Sequence, residues 1–262
     1  TMNIALNEKK ALVGGSSKGI GEAIARQLAA SGASVTLMAR NEERMKSIIS
    51  EMDTSHGQTH QYLVVDFTDF EGYKATISEF FQNNTVDILV NNTQGPEAGD
   101  ALEKKVDDYQ RAFDLLFKSV VYTTELALAH MQQQKWGRII NVASISVKEP
   151  LNYLALSNSI RAAVVTWAKS LAYDVAPFGI TVNSTLTGYF DTDRIAQLNS
   201  KKAEKLGISP NEVRSNMEEQ VPVKRIGEPR EYGYLVTFLA SDNAAFITGT
   251  NIPIDGGLLK SL

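Results

Sequence analysis

The sequence predicts an α/β fold, a parallel sheet of about seven strands with helices on both faces. Two observations carry this. Short, nearly continuous apolar segments alternate with amphipathic helical segments, the pattern of strands buried on both faces. The first such segment also runs into a glycine-rich turn, Val13-Gly14-Gly15-Ser16-Ser17-Lys18-Gly19-Ile20-Gly21, from which a helix emerges.

Taken in order, Lys10–Val13 reads as the first strand, and Ile20, Ala23, Ile24 and Leu28 mark one face of the helix after the turn. Glycines permit positive φ angles there and let phosphate oxygens approach main-chain N–H groups, while a helix N-terminus favours negative charge. The turn therefore reads as the floor of a nucleotide site. Ser34–Met38 is a second strand followed by a helix over Glu42–Met52. Gln61–Val65 is a third strand ending at Asp66, followed by a helix over Phe70–Phe81. Val86–Val90 is a fourth, ending at Asn91-Asn92, and one long helical region covers Val106–Gln134. Gly137–Val142 is a fifth strand ending in Ala143-Ser144, with a helix over Leu154–Ala176 after it. Ile180–Asn183 is a sixth strand, and a helix over Glu231–Ala240 precedes a short seventh, Asn251–Ile254. Between them, Asp191–Gly227 is rich in Lys, Glu, Gln and Asn. Because it follows the C-terminal end of a strand, where open α/β sheets bind ligands, it reads as a mobile helical lid over a substrate.

At 262 residues and 43% hydrophobic, the chain can bury a substantial core, and a single domain over 1–262 is expected. Its 26 basic and 30 acidic residues are spread along the chain, without the basic footprint of a nucleic-acid binder. The absence of cysteine excludes disulfides, thiolate nucleophiles and Cys-based metal sites. His56, His60 and His130 show no ligand spacing, so no metal is expected. There is no leader-like segment and no apolar run near the ~20 residues that span a bilayer. A cytoplasmic protein with no membrane partner is the expectation, and Thr1 ahead of Met2 reads as an addition to the natural start.

Over nearly its whole length the chain resembles the short-chain dehydrogenases/reductases. Gly14–Gly21 is similar to the family's Thr-Gly-x-x-x-Gly-x-Gly loop, with Gly14 for the Thr, and Leu89-Val90-Asn91-Asn92 is similar to its Asn-Asn-Ala-Gly strand end. Gly137–Ser144, Lys169-Ser170-Leu171-Ala172 and Ile254-Asp255-Gly256-Gly257 match later landmarks in order and spacing. The resemblance implies a Rossmann-type doubly wound sheet, a nicotinamide cofactor, a small-molecule substrate, and a homo-oligomer, often a tetramer. Gly15, Ser17, Lys18, Gly19, Ile20, Gly21, Asp66, Asn92, Arg161 and Thr192 are the cofactor contacts it implies. Dinucleotide folds that prefer NAD place an acid at the end of the second strand, whereas an Arg nearby accommodates a 2′-phosphate. Here the position is Ala39, followed by Arg40, and Lys18 is a second cation in reach. NADP(H) is expected, with NAD(H) as the alternative.

The catalytic pattern departs from the family. Ser144 matches its Ser, but the family Tyr falls at Ser157, its Lys at Arg161 and its supporting Asn at Leu116. None of the nine tyrosines has a Lys four residues later, so no shift of register restores the motif. Two readings follow. In one, the protein is an oxidoreductase with a rearranged centre of Ser144, Tyr153, Ser157 and Arg161. A helix that included Tyr153 would place it on the face of Ser157 one turn, ~5.4 Å, earlier. The substrate would then be a sugar, a sugar acid or a 3-oxoacyl compound. Tyr189 and Thr192 lie where the family touches substrate or nicotinamide, and Lys148 reads as a solvated loop cation. In the other reading the protein is a dinucleotide-binding regulatory or structural subunit that has lost the chemistry.

Overall fold

The computed structural model describes residues 4–261, so Thr1 and Met2 lie outside the described residues. Seven strands, β1 (Lys10–Gly14), β2 (Ser34–Ala39), β3 (Gln61–Val64), β4 (Ile88–Asn91), β5 (Gly137–Ser144), β6 (Ile180–Thr187) and β7 (Asn251–Ile254), form one sheet. All neighbours are parallel, in the order β3-β2-β1-β4-β5-β6-β7. The helices are α1 (Gly19–Ala30), α2 (Glu42–Glu51), α3 (Phe70–Asn83), α4 (Val106–Phe113), α5 (Ser119–Gln134), α6 (Ala155–Val175), α7 (Asp193–Leu206), α8 (Pro210–Gln220) and α9 (Pro229–Leu239).

The strand side chains alternate between two cores, as a period of two requires. Ala11 and Val13, Ile88 and Val90, and Ile140 and Val142 join the core under α1, α2 and α9. Leu12, Leu89 and Ile139 join the core under α3, α5 and α6. Each such buried Leu, Ile or Val contributes about 1.5–3 kcal/mol. On the first face α9 lies against α1 at Gly233, where a Cβ would stand 2.8 Å from the Ala23 carbonyl oxygen. No helix among the described residues is long and apolar enough to cross a membrane.

One helix differs from the sequence reading, with a local cause. The long helix expected over Val106–Gln134 is interrupted by a π turn at Asp114–Lys118. Ser119 Oγ donates to the Leu115 carbonyl (2.6 Å) and Thr123 Oγ1 to that of Ser119 (2.9 Å), side-chain bonds that compete with the helix ladder and bend it. The start of α6 at Ala155 falls within a residue of the expected Leu154 and leaves Tyr153 outside the helix. The residues before it pair with a distant loop instead: Gly99 N–H donates to the Tyr153 carbonyl (2.8 Å) and Ala155 N–H to that of Gly99 (3.1 Å). The one-turn offset between Tyr153 and Ser157 therefore does not apply. The segment read as a lid folds as two helices, α7 and α8, around a small apolar cluster of Ala203, Val213 and Met217.

Strand order reverses between β1 and β4, and open parallel sheets bind ligands in the crevice at such a switch point. The glycine turn follows β1 there, and Asn91-Asn92 end β4 beside it.

Candidate active site

The glycine turn is held from behind. Ser16, fully buried, donates through Oγ to the Val13 carbonyl (2.8 Å) and accepts from Met38 N–H (2.9 Å), tying β1 to β2. Asn92 Nδ2 donates to the Gly14 carbonyl (2.9 Å), so this predicted cofactor residue spends its amide on shaping the turn. Gly15 and Gly19 sit at φ +57° and +56°, a region side chains other than glycine rarely adopt. A Cβ on Gly21 would meet the Gly15 carbonyl oxygen at 2.3 Å. Ile20 packs against the first core, leaving its main chain for a ligand. The Ser17 hydroxyl has no partner among the described residues, and no side chain caps α1. Its first N–H groups are thus left as donors for an anion.

The predicted cations differ in their engagement. Lys18 Nζ pairs with Asp193 of α7 at 3.1 Å, and Thr192 stands over Gly19, 3.2 Å from where a Cβ would be. Arg40 is exposed and forms no ion pair among the described residues. Asp66 accepts from the Thr68 hydroxyl (2.7 Å) and N–H (2.9 Å); these bonds, with the charge of Arg40, hold its carboxyl below the usual range.

Across the crevice, Ser144 ends β5 opposite Thr187 of β6. Its Oγ accepts from Ser146 N–H (3.1 Å), which leaves the hydroxyl proton free to be donated. Ser157 on α6 is only 8% exposed, and its hydroxyl has no partner among the described residues. Arg161, one turn on, donates to the Val142 carbonyl and lines a cavity with Asn91, Thr93, Leu116 and Asn141. Burial pushes its pKa down to about 10, so it remains a cation at neutral pH. Leu116, 3% exposed on the π turn, gives this cavity an apolar wall where the family resemblance expects an Asn.

Tyr153 is 44% exposed, and its hydroxyl bonds neither Ser144 nor Ser157. Partial burial, and then the neighbouring Tyr189, raise its pKa. Tyr189 itself packs on the apolar cluster of α7 and α8, so Tyr153 stands at the junction of the β5–α6 loop and the helical segment. Arg161 on α6 thus reaches the end of β5 that carries Ser144, while the contacts of Tyr153 are with Gly99 and Tyr189. Lys148 is exposed. His60 bonds the Val35 N–H and the Asp53 carbonyl, His130 bonds Asp87, and no metal-binding cluster occurs among the described residues.

Three residues here escaped the sequence reading. Asn141, 1% exposed, accepts from Asn91 Nδ2 (2.9 Å) while its own Nδ2 has no acceptor. Tyr232 of α9 bonds the hydroxyls of Thr185 (2.6 Å) and Thr187 (2.8 Å), fixing the end of β6. Arg194 lies in the first turn of α7 and donates to the Pro96 carbonyl at 2.9 Å. The signal for Arg194 was available, because a cation in a helix's first turn opposes the dipole and needs another reason to be there.

Comparison with known proteins agrees with this geometry. A family model described as enoyl-(acyl carrier protein) reductase matches residues 15–259. The 3-oxoacyl-[acyl-carrier-protein] reductase FabG of Aquifex aeolicus (strain VF5) is 30% identical, with 98% of this chain and 100% of FabG covered. The crystal structure of YwfH, an NADPH-dependent reductase involved in bacilysin biosynthesis, superposes with a TM-score of 0.91 at 29% identity, covering 98% of this chain and 100% of YwfH. L-Sorbose reductase from Gluconobacter frateurii, solved with NADPH and L-sorbose, superposes with a TM-score of 0.91 at 28% identity over 100% of both chains. The doubly wound sheet, the glycine turn at its switch point and these full-length matches together show that the chain belongs to the short-chain dehydrogenase/reductase family.

Proposed function

We propose that the protein is an NADP(H)-dependent oxidoreductase that reduces a carbonyl on a small polar substrate, with Tyr153 as proton donor in place of the family's Tyr-x-x-x-Lys pair. The observation that carries the cofactor assignment is Arg40, an exposed cation directly after β2 with no ion-pair partner among the described residues, where the strand itself ends in Ala39 and not in an acid. The residues fit such a cofactor: positive-φ glycines, the partnerless Ser17 hydroxyl and the uncapped start of α1 suit its diphosphate. YwfH and L-sorbose reductase, both of this fold, are NADPH enzymes.

When bound, the cofactor supplies a hydride equivalent to the substrate carbonyl carbon. The chain's own part is to hold the carbonyl oxygen and protonate it. Ser144 donates its free hydroxyl proton as a hydrogen bond to that oxygen. Tyr153 gives up the proton, its phenol being protonated at neutral pH, with burial and Tyr189 raising its pKa further. Ser157, an aliphatic alcohol, is too weak an acid for this step. Arg161 supplies a fixed positive charge without acting as a proton relay. α7 and α8 serve as a lid over the site, latched to the glycine turn through Lys18 and Asp193.

The replacement of three family roles by Leu116, Ser157 and Arg161 favours one rival, a regulatory or structural subunit that binds the dinucleotide without chemistry. Titration with NADPH and NADH, followed by NADPH consumption on a panel of aldehydes, keto sugars and oxo acids, separates the two. The oxidoreductase reading expects tighter NADPH binding and turnover on at least one carbonyl. Tight binding with no turnover on any of them supports the subunit.

A further inference from the structure

Of the ten arginines, seven are ion-paired to carboxylates. The three with no such partner among the described residues, Arg40, Arg161 and Arg194, all lie around the C-terminal edge of the sheet. The proposed 2′-phosphate accounts for Arg40. Arg161 is largely withdrawn from water without a counter-ion, which is costly, and Arg194, though exposed, is equally without one.

Arg161 and Arg194 flank one short segment of chain. Thr93 lines the cavity that holds Arg161. Two and three residues on, Gly95 and Pro96 carry Arg194, which donates to the Pro96 carbonyl (2.9 Å) and lies 3.5 Å from where a Gly95 Cβ would stand. The carboxylates nearest in sequence are committed elsewhere, Glu97 to Lys104, Asp193 to Lys18 and Asp191 to Arg214. Asn141 adds an independent sign of a missing acceptor. Its Oδ1 is taken by Asn91, and its buried Nδ2, in the wall of the same cavity, has no partner. A site with two guanidiniums, an unused amide donor and no acid is complementary to an anion, and the planar forks suit a carboxylate.

We infer that Thr93–Pro96 forms the spine of a carboxylate subsite with Arg161 and Arg194 as its cations, so that the substrate is an oxo acid. This rests on the reductase reading, since it names that enzyme's substrate class. The test is calorimetric titration of the protein saturated with NADP+, using pyruvate, 4-oxopentanoate and 4-oxocyclohexanecarboxylate, each against its methyl ester. At least one acid is expected to bind about tenfold or more tightly than its ester, as hydrogen bonds to a charged group allow. Arg194→Gln should remove most of that preference and leave NADP+ affinity within about twofold. The inference is overturned if no pair shows an acid preference, or if the preference survives Arg194→Gln and Arg161→Gln alike. It is overturned too if Arg194→Gln weakens NADP+ instead, which would give that side chain to the cofactor diphosphate. Binding is read without turnover, so the two proposals fail separately. Acid preference without hydride transfer keeps the subsite and removes the reductase, whereas equal turnover of acids and esters does the reverse.

Discussion

The C-terminal ends of β1, β2 and β4 differ from those of β5 and β6 in how their polar groups are satisfied. Around the glycine turn, Ser16 and Asn92 each hold main-chain groups of β1, and Asn91 bonds both Thr124 and Asn141. At the other end, Asn141, Ser146, Asn158 and Ser184 keep buried atoms without partners, and the one other such atom among the described residues is Thr237 Oγ1 on α9. An unsatisfied buried group costs about 1–3 kcal/mol, so such groups gather where the fold is not complete without something bound. The chain thus finishes the back of the cofactor cradle and leaves only the outward donors of the glycine turn for a ligand, while the β5–β6 half keeps buried donors and one acceptor, Asn158 Oδ1, unmatched.

The largest expected effect bears on the unfinished half. Tyr153→Phe should lower turnover roughly 10²–10⁴-fold, the usual loss for a well-placed general acid, while Ser157→Ala stays within a few-fold. Steady-state kinetics on an identified substrate decides, and the reverse ranking would move the acid to α6. Next comes the finished half. Gly21→Val forces a Cβ to within 2.3 Å of the Gly15 carbonyl oxygen, so the turn must shift, and should weaken NADPH about 100-fold, read by nucleotide fluorescence. Arg40→Gln should weaken NADPH about 10-fold or more and leave NADH nearly unchanged, because a hydrogen bond to a charged group contributes about 1.5–3 kcal/mol.

A pH profile sharpens the contrast further. Tyr153 has its pKa raised by burial and by Tyr189, so the protonated phenol persists through neutrality. Carbonyl reduction should therefore stay flat on this group up to about pH 10, whereas alcohol oxidation, which needs the phenolate, should climb with pH over the same range. A fall in reduction near pH 7 would count against Tyr153.

How far the sequence is legible follows the same division. The strands read well because Leu12, Leu89 and Ile139 alternate with neighbours that face the other core, and this period survives any detail of tertiary packing. The glycine turn and Arg40 were readable because they act through local backbone and strand position. The start of α6 was readable to within a residue, but the Gly99 pairing that holds Tyr153 outside the helix was not, since it joins residues 54 apart, as their numbering gives. The π turn around Leu116 depends on Ser119 and Thr123 bonding back to the helix, a competition that apolar periodicity does not register. Arg194 carries a local signal in its place in the first turn of α7, but not its destination. Only the fold brings it to Gly95 and Pro96.

The central claim is that a finished cradle serves a rearranged but working centre, and the most direct measurement is transfer of a label. NADPH carrying deuterium at the nicotinamide C4 position is incubated with the protein and the carbonyl panel, and the products are weighed by mass spectrometry. The account predicts an alcohol that has gained one deuterium, lost when Tyr153 is replaced by Phe. Tight NADPH binding with no deuterated product from any carbonyl would contradict it.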